Sequence, residues 1–137
     1  MIVLDTHVLI WAVDGDARLG RTARAAIDEA GRTDGIAVSA ITPWEIILLT
    51  EKGRLRLGCD AAVWIDTALL LPGVHLIPVE PAIAIDSVRL PGSFHADPAD
   101  RFIVATARYC GAPLVTADGA ILEYAAGGHV RVIDACR

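Results

Sequence analysis

The chain has 137 residues, with 12 Lys plus Arg against 17 Asp plus Glu, a formal charge of −5 and 54% hydrophobic residues. This length predicts one domain over residues 1–137, and the apolar content excludes a disordered chain because it offsets the entropy cost of folding. The acidic charge and the 5% aromatic content argue against a protein that binds nucleic acid over a broad basic face or an aromatic platform.

The apolar runs and the N-terminus argue against a membrane or secreted protein. Asp5 and His7 interrupt the first apolar run, and Asp66 and Pro72 interrupt another, before either reaches the ~20 residues of a bilayer helix. The first residues lack the basic stretch of a secretory signal. The three cysteines are odd in number and have no C-x-x-C spacing, so we expect small buried or inert thiols rather than disulfides or a zinc site. We therefore expect a soluble, cytoplasmic protein.

Short β-type segments alternate with longer helical patterns along the chain. The predicted strands cover residues 2–4, 36–38, 74–77, 114–116 and 130–133. The predicted helices cover residues 6–13, 21–30, 43–52, 61–70, 81–89, 98–110 and 120–124. This alternation predicts a three-layer α/β domain around a mostly parallel sheet.

The predicted helix at 43–52 is apolar on nearly every side, through Ile46-Ile47-Leu48-Leu49. A helix of this kind is covered on more than one side, so we expect the sheet on one side and a second subunit on another. Trp11, Trp44 and Trp64 lie among aliphatic residues of predicted helices, which indicates core or dimer contacts.

Two carboxylates directly follow predicted strands. Asp5 comes after the first strand, and Asp118 follows the fourth strand after Thr116-Ala117. In parallel sheets, groups beyond the carboxyl ends of the strands converge on the crevice where ligands bind. We therefore expect Asp5 and Asp118 to be near neighbours.

Two further acids lie near predicted helix starts. Glu45 follows Thr42 by three residues and Asp100 follows Asp97 by three, with proline at the first predicted helical position in both cases. Each pair is also the pattern of a capping box, in which the acid only satisfies backbone N–H groups. Asp118 before Gly119 has the same alternative interpretation, as a helix N-cap.

The capping interpretation does not explain why acids from four separate segments would share one rim of the sheet. Carboxylates packed together repel one another and have raised pKa values unless a positive charge lies between them. Oxygen ligands of this kind favour a hard divalent cation such as Mg²⁺ or Mn²⁺. One or two such ions suit phosphodiester hydrolysis, because they activate water and neutralise the phosphate.

The residues that carry these acids resemble a known family. The stretches Asp5-Thr6-His7, Pro43-Trp44-Glu45-Ile46, His95-Ala96-Asp97-Pro98-Ala99-Asp100-Arg101 and Val115-Thr116-Ala117-Asp118 resemble the PIN-domain ribonucleases. More narrowly, they are similar to the VapC-type toxins of bacterial toxin–antitoxin pairs. The resemblance covers nearly the whole chain, and the stretch from His95 to Arg101 is its most specific part.

The resemblance implies an α/β/α sandwich with a parallel sheet of about five strands and Mg²⁺- or Mn²⁺-dependent endonucleolytic cleavage of RNA. It assigns catalysis and metal binding to an acidic quartet, with one further metal ligand beside it: Asp5, Glu45, Asp100 and Asp118, then Asp97. Thr116 and Thr6 would hold a carboxylate or a water molecule through their hydroxyl groups. The resemblance also implies a small cognate antitoxin that obstructs the site, a homodimer, and structured RNA such as tRNA as substrate.

Four basic residues are candidates for RNA contact. Arg101 follows a cluster acid and would bind a phosphate, or it would pair with Asp97. Lys52, Arg54 and Arg56 form the one dense basic segment, which is either an RNA backbone contact or a solvated turn and edge strand. His7 and His95 flank the acids, and we interpret both as structural or orienting residues.

Two other functions remain as alternatives. An aspartate at the end of the first strand also occurs in metal-dependent phosphatases of the haloacid-dehalogenase type, but their Asp-x-Asp-x-Thr pattern is absent because residue 7 is His. Response-regulator receivers require a lysine near their last strands, which this sequence lacks. The second alternative is a non-catalytic α/β partner-binding protein whose acids are helix caps.

Overall fold

A computed structural model describes residues 1–94 and 96–137, within which strands and helices alternate as predicted. The strands are β1 (Ile2–Leu4), β2 (Ile36–Ser39), β3 (Val74–Ile77), β4 (Leu114–Thr116) and β5 (Val132–Asp134). The helices are α1 (Thr6–Asp14), α2 (Arg21–Arg32), α3 (Ile41–Glu51), α4 (Ala61–Leu69), α5 (Pro81–Arg89), α6 (Pro98–Cys110) and α7 (Gly119–Ala125).

The strands form one parallel sheet with the order β3-β2-β1-β4-β5. The chain builds β2 and β3 on one side of β1, and then crosses to build β4 and β5 on the other. The switch point therefore lies between β1 and β4, where Leu4 pairs with Val115. Ligands of open parallel sheets bind beyond the carboxyl ends of strands at such a point, and this is where Asp5 and Asp118 follow their strands.

Helices cover both faces of the sheet. Ile2 and Leu4 of β1 pack with buried residues of α1, α2 and α4, whereas Val3 packs on the opposite face with residues of α6 and α7 such as Ile103 and Ile121. This alternation follows from the two-residue side-chain period of a strand. The predicted α/β/α sandwich with five parallel strands is confirmed.

Most element ends differ from the prediction by one or two residues, and two predicted starts are wrong by two residues. Helix α3 begins at Ile41 rather than residue 43, because the Ser39 hydroxyl accepts a hydrogen bond from the Ile41 N–H at 3.1 Å. Pro43 is still tolerated there, since it lies in the first turn and its missing N–H needs no partner within the helix. Strand β5 begins at Val132 rather than at residue 130.

The side chains expected in the core or at a dimer contact divide into two groups. Trp11 and Trp64 are 8% and 7% exposed and belong to the core. Trp44, on the outer side of α3, is 51% exposed, and Ile47 beside it is 37% exposed. The apolar face of α3 is therefore only partly covered by its own chain.

No helix in the described part of the chain is both long and apolar enough to cross a membrane. The three cysteines are free, as expected; Cys59 and Cys136 are exposed and Cys110 is half-buried.

Candidate active site

Asp5 is a buried carboxylate at the junction of β1 and α1. Its side chain is the N-cap of α1 and accepts a hydrogen bond from the Thr6 N–H at 2.8 Å. The Thr116 hydroxyl at the end of β4 donates to the other oxygen of Asp5 at 2.6 Å. Burial raises the pKa of Asp5, and these two hydrogen bonds oppose the increase. The carboxylate is thus fixed in one orientation across the switch point.

Asp118 lies beside Asp5 because both are bonded to the same threonine. The Asp118 N–H donates to the Thr116 hydroxyl at 3.0 Å, while the Asp118 carboxylate accepts from the Ile121 N–H at 2.9 Å and caps α7. The capping interpretation is therefore confirmed for Asp118. Its negative charge also contributes to the raised pKa of Asp5. Asp118 therefore caps α7 and belongs to the acidic cluster at the same time.

Glu45 reaches the same site from α3 and is not a capping residue. Because α3 begins at Ile41, Glu45 is the fifth helical residue, and no side chain caps the helix at Ala40. Burial raises the pKa of Glu45, a hydrogen bond with the Thr6 side chain opposes the increase, and the charge of Asp5 adds to it. The Thr6 hydroxyl is also 3.1 Å from that of the buried Thr42. The alternative interpretation of Glu45 as part of a capping box is therefore wrong.

Asp97 and Asp100 enter the site at the start of α6. Asp97 is the N-cap residue by its backbone, but its side chain makes no capping hydrogen bond. Burial, a hydrogen bond with Asp97 and the charges of Asp5, Asp97 and Asp118 together raise the pKa of Asp100 to about 9. The hydrogen bond and the charges place Asp97 and Asp100 close to each other and near Asp5 and Asp118.

These residues give the site a surplus of negative charge. Five carboxylates from four separate segments of the chain contribute to it: Asp5, Glu45, Asp97, Asp100 and Asp118. The charges of the neighbouring acids add to the raised pKa values of Asp5, Glu45 and Asp100. His7 is the basic residue whose charge favours ionisation of Asp5 and Glu45, and it is exposed. Carboxylates gathered in this way require a positive partner to be ionised together at neutral pH.

The donor set fits a hard divalent cation by its chemistry. Carboxylate oxygens are the ligands that Mg²⁺ and Mn²⁺ prefer. The hydroxyl groups of Thr6 and Thr116 orient the carboxylates of Glu45 and Asp5, respectively. Among the described residues, no three His, Cys, Asp or Glu side chains are already close enough together to hold a metal ion. The acids therefore converge on one place but would have to move closer together to bind an ion.

Across the part of the chain that the structure describes, the basic residues predicted to contact RNA form no ion pair with the acids of the cluster. Lys52, Arg54 and Arg56 are exposed in the turn and irregular segment after α3; the segment is not the edge strand that was one alternative. The Arg101 guanidinium donates to backbone carbonyl oxygens, and no ion pair with Asp97 is present among the described residues. His95 lies outside the described residues.

Sequence reasoning missed two buried polar residues that shape the site. Ser39 sets the start of α3. Thr42, which the sequence suggested only as part of a capping box, contacts the Thr6 hydroxyl through its own hydroxyl. Both are fully or almost fully buried. The available signal was a serine at the end of a buried strand, which is a common helix-capping residue type.

Comparison with known proteins identifies the family. The PIN domain family matches residues 2–127. Ribonuclease VapC22 of Mycobacterium tuberculosis (strain ATCC 25618 / H37Rv) is 38% identical over 117 residues, which is 85% of this chain and 86% of that protein.

Two solved structures share the fold over almost their whole length. One is the crystal structure of VapBC2 from Rickettsia felis bound to a DNA fragment from the VapBC2 promoter. It aligns with a TM-score of 0.69 and 15% identity over 97% of this chain and 98% of that one. A toxin-antitoxin complex from Klebsiella pneumoniae aligns with a TM-score of 0.62 and 22% identity over 98% and 97% of the two chains. The sequence match, the shared fold and the acidic cluster lead to one conclusion: the chain belongs to the PIN-domain family, as a VapC-type member.

Proposed function

We propose that this chain is a divalent-metal-dependent endoribonuclease that acts as the toxin of a toxin–antitoxin pair. The observation that carries the proposal is the convergence of carboxylates from four chain segments at the carboxyl ends of β1 and β4. Support also comes from VapC22, the ribonuclease that is 38% identical. The reaction proposed is hydrolysis of an RNA phosphodiester bond without a covalent intermediate.

Each residue of the cluster has a distinct part in this proposal. Asp5, Glu45, Asp100 and Asp118 hold Mg²⁺ or Mn²⁺, one or two ions per site, and Asp97 supplies a further oxygen. Thr116 and Thr6 orient Asp5, Asp118 and Glu45 through the hydrogen bonds described above. The chemistry supplied by the bound cation is activation of the attacking water and neutralisation of the phosphate charge.

The proposed partners follow from the surface and from the relatives. We propose structured RNA, with tRNA as the first class to test, and contact of its backbone with the exposed residues Lys52, Arg54 and Arg56. The half-exposed Trp44 of α3 supports a homodimer. A cognate antitoxin is proposed because one solved structure of the same fold is a toxin-antitoxin complex. The protein would act in the cytoplasm, where both RNA and antitoxin are made.

The second candidate function is a non-catalytic partner-binding protein whose acids are caps. Asp5 and Asp118 do accept helix N–H groups, which is the observation in its favour. Glu45 and Asp97 make no capping hydrogen bond at the starts of their helices, and capping gives no reason for the burial of Asp100 among other acids. The nuclease is therefore the better explanation.

Alanine substitutions in matched caps distinguish the two functions. Asp60 is an exposed N-cap of α4, remote in the sequence from the cluster acids, and accepts from the Ala62 and Val63 N–H groups. Both Asp5→Ala and Asp60→Ala remove a cap, at a cost of about 0.5–2 kcal/mol. We expect Asp5→Ala and Asp100→Ala to lower Mn²⁺-dependent cleavage of tRNA by about 100-fold or more, and Asp60→Ala to retain it. Equal cleavage by all three variants and wild type would refute the proposal.

A further inference from the structure

Each of the three guanidinium nitrogens of Arg101 donates a hydrogen bond to a backbone carbonyl oxygen of its own chain. Its Nε donates to the Ser87 carbonyl oxygen at 2.8 Å, one terminal nitrogen donates to the Val88 carbonyl oxygen at 3.1 Å, and the other donates to the carbonyl oxygen of Phe94. The guanidinium carbon also lies 5.9 Å from the centre of the Phe94 ring. One side chain of α6 thus holds two separate segments that precede it.

The first of these segments is the end of α5. Ser87 and Val88 lie in its last turn, since the helix ends at Arg89. Carbonyl groups in the last turn of a helix have no partner within the helix, and Arg101 supplies one for each of these two residues. A guanidinium suits this role because its donors form a rigid planar fork, which the single point charge of lysine lacks.

The second segment, residues 91–94, lies shortly before Asp97 in the chain. Phe94 is 6% exposed, stacks on Tyr124 of α7 with 4.5 Å between ring centres, and precedes Asp97 by three residues. The Tyr124 hydroxyl donates to the Pro91 carbonyl oxygen at 2.6 Å. Residues 91–94 are therefore fastened to α6 by Arg101 and to α7 by Tyr124.

Arg101 also follows Asp100 directly on α6. Consecutive helical residues point about 100° apart, so Asp100 faces the other acids while Arg101 faces α5 and Phe94. The same helical turn thus carries a cluster acid and the tether for the segment before Asp97.

We infer that Arg101 is a positioning residue: by fastening the end of α5 and residues 91–94 to the first turn of α6, which carries Asp97 and Asp100, it holds this turn in place against the other acids. In this role it does not contact RNA. This inference deepens the proposed function and rests on it. It replaces the phosphate contact that the sequence suggested for Arg101, because all three guanidinium nitrogens are already bonded to carbonyl oxygens, which fixes the direction of the side chain. Loss of these contacts should weaken cation binding and leave RNA affinity unchanged.

The test compares Arg101→Lys and Arg101→Gln with the matched control Arg89→Gln, which removes an exposed arginine from the last turn of α5. Mn²⁺ affinity is measured by calorimetry without RNA, and RNA affinity is measured in EDTA over a range of salt concentrations. We expect both Arg101 variants to bind Mn²⁺ about 10- to 100-fold more weakly, with RNA affinity within about twofold of wild type and an unchanged salt slope. Arg89→Gln should match wild type in Mn²⁺ affinity.

Tyr124→Phe keeps the test decisive if the Arg101 variants do not fold. It removes only the hydroxyl that donates to Pro91, and it should weaken Mn²⁺ binding in the same direction but by less. The inference is overturned if Mn²⁺ affinity is unchanged in the folded variants, or if Arg101→Gln weakens RNA binding while Arg101→Lys restores it. Wild type that binds no Mn²⁺ would instead refute the proposed function.

Discussion

The hydroxyl of Thr116 is the group whose removal tests the site most cleanly, because valine has nearly the same shape. Thr116 is fully buried, and its hydroxyl donates to Asp5 at 2.6 Å and accepts from the Asp118 N–H at 3.0 Å. In Thr116→Val, the buried Asp5 carboxylate keeps only the Thr6 N–H as hydrogen-bond donor, and the Asp118 N–H loses its acceptor. Both acids of the switch point are affected by one substitution.

The expected loss of stability follows from those two bonds. A buried group left without its partner costs about 1–3 kcal/mol, so we expect about 2 kcal/mol, or ~8 °C in Tm at about 4 °C per kcal/mol for a domain of this size. Removing the donor also raises the pKa of Asp5 further, since that hydrogen bond lowers it. The loss should therefore be smaller in acid, where the carboxyl is protonated in wild type as well.

Thermal unfolding and cleavage assays, each with and without Mn²⁺, measure both effects. The control is Thr106→Val, because Thr106 is equally buried but its hydroxyl donates at 2.7 Å to the Phe102 carbonyl, which lies within α6. The control should lose less than about 1 kcal/mol and keep its response to Mn²⁺. Thr116→Val should lose about 10- to 100-fold in cleavage. If Thr116→Val equals the control in both stability and cleavage, the orienting role of the hydroxyl is refuted.

Three further predictions concern pH, the basic segment and α3. The pKa of Asp100 is about 9 in the folded protein against 3.8 for the free side chain, so the folded state binds the extra proton and metal-free stability should fall as pH rises from about 4 to 9; a Tm that rises over this interval would contradict this. The triple variant K52A/R54A/R56A should flatten the salt dependence of RNA binding with stability within about 0.5 kcal/mol of wild type; an unchanged slope would leave the segment as ordinary surface. Trp44→Glu should shift sedimentation toward monomer, and an unchanged oligomeric state would refute the dimer contact.

Most of the fold could be predicted because its determinants are local. The periodicity of apolar residues, interrupted by Gly, Pro and Asp, predicts the strands and helices. Parallel strands end at one edge of a sheet, so Asp5 and Asp118 were expected side by side. The start of α3 was missed because it depends on Ser39, which lies outside the apparent Thr-x-x-Glu capping box. Glu45 consequently faces Thr6 rather than the helix N-terminus.

The role of Arg101 could not be predicted from its neighbours in the sequence. The carbonyl groups that it contacts belong to residues 7 to 14 positions earlier, and their availability depends on how α5 ends and how Phe94 packs on Tyr124. An arginine after an aspartate suggests a phosphate contact when only residue type is known. Tertiary packing decides whether its donors are free.

The most direct test of the account is calorimetric titration of Mn²⁺ into the wild-type protein and into Asp100→Asn, near neutral pH and without RNA. Wild type should bind about one or two ions per chain and release protons as it does so, because the protonated carboxyl of Asp100 must ionise to bind a cation. Asp100→Asn should bind more weakly and release fewer protons. Wild-type protein that binds no Mn²⁺, or that binds it as tightly and with the same proton release as Asp100→Asn, would contradict the account.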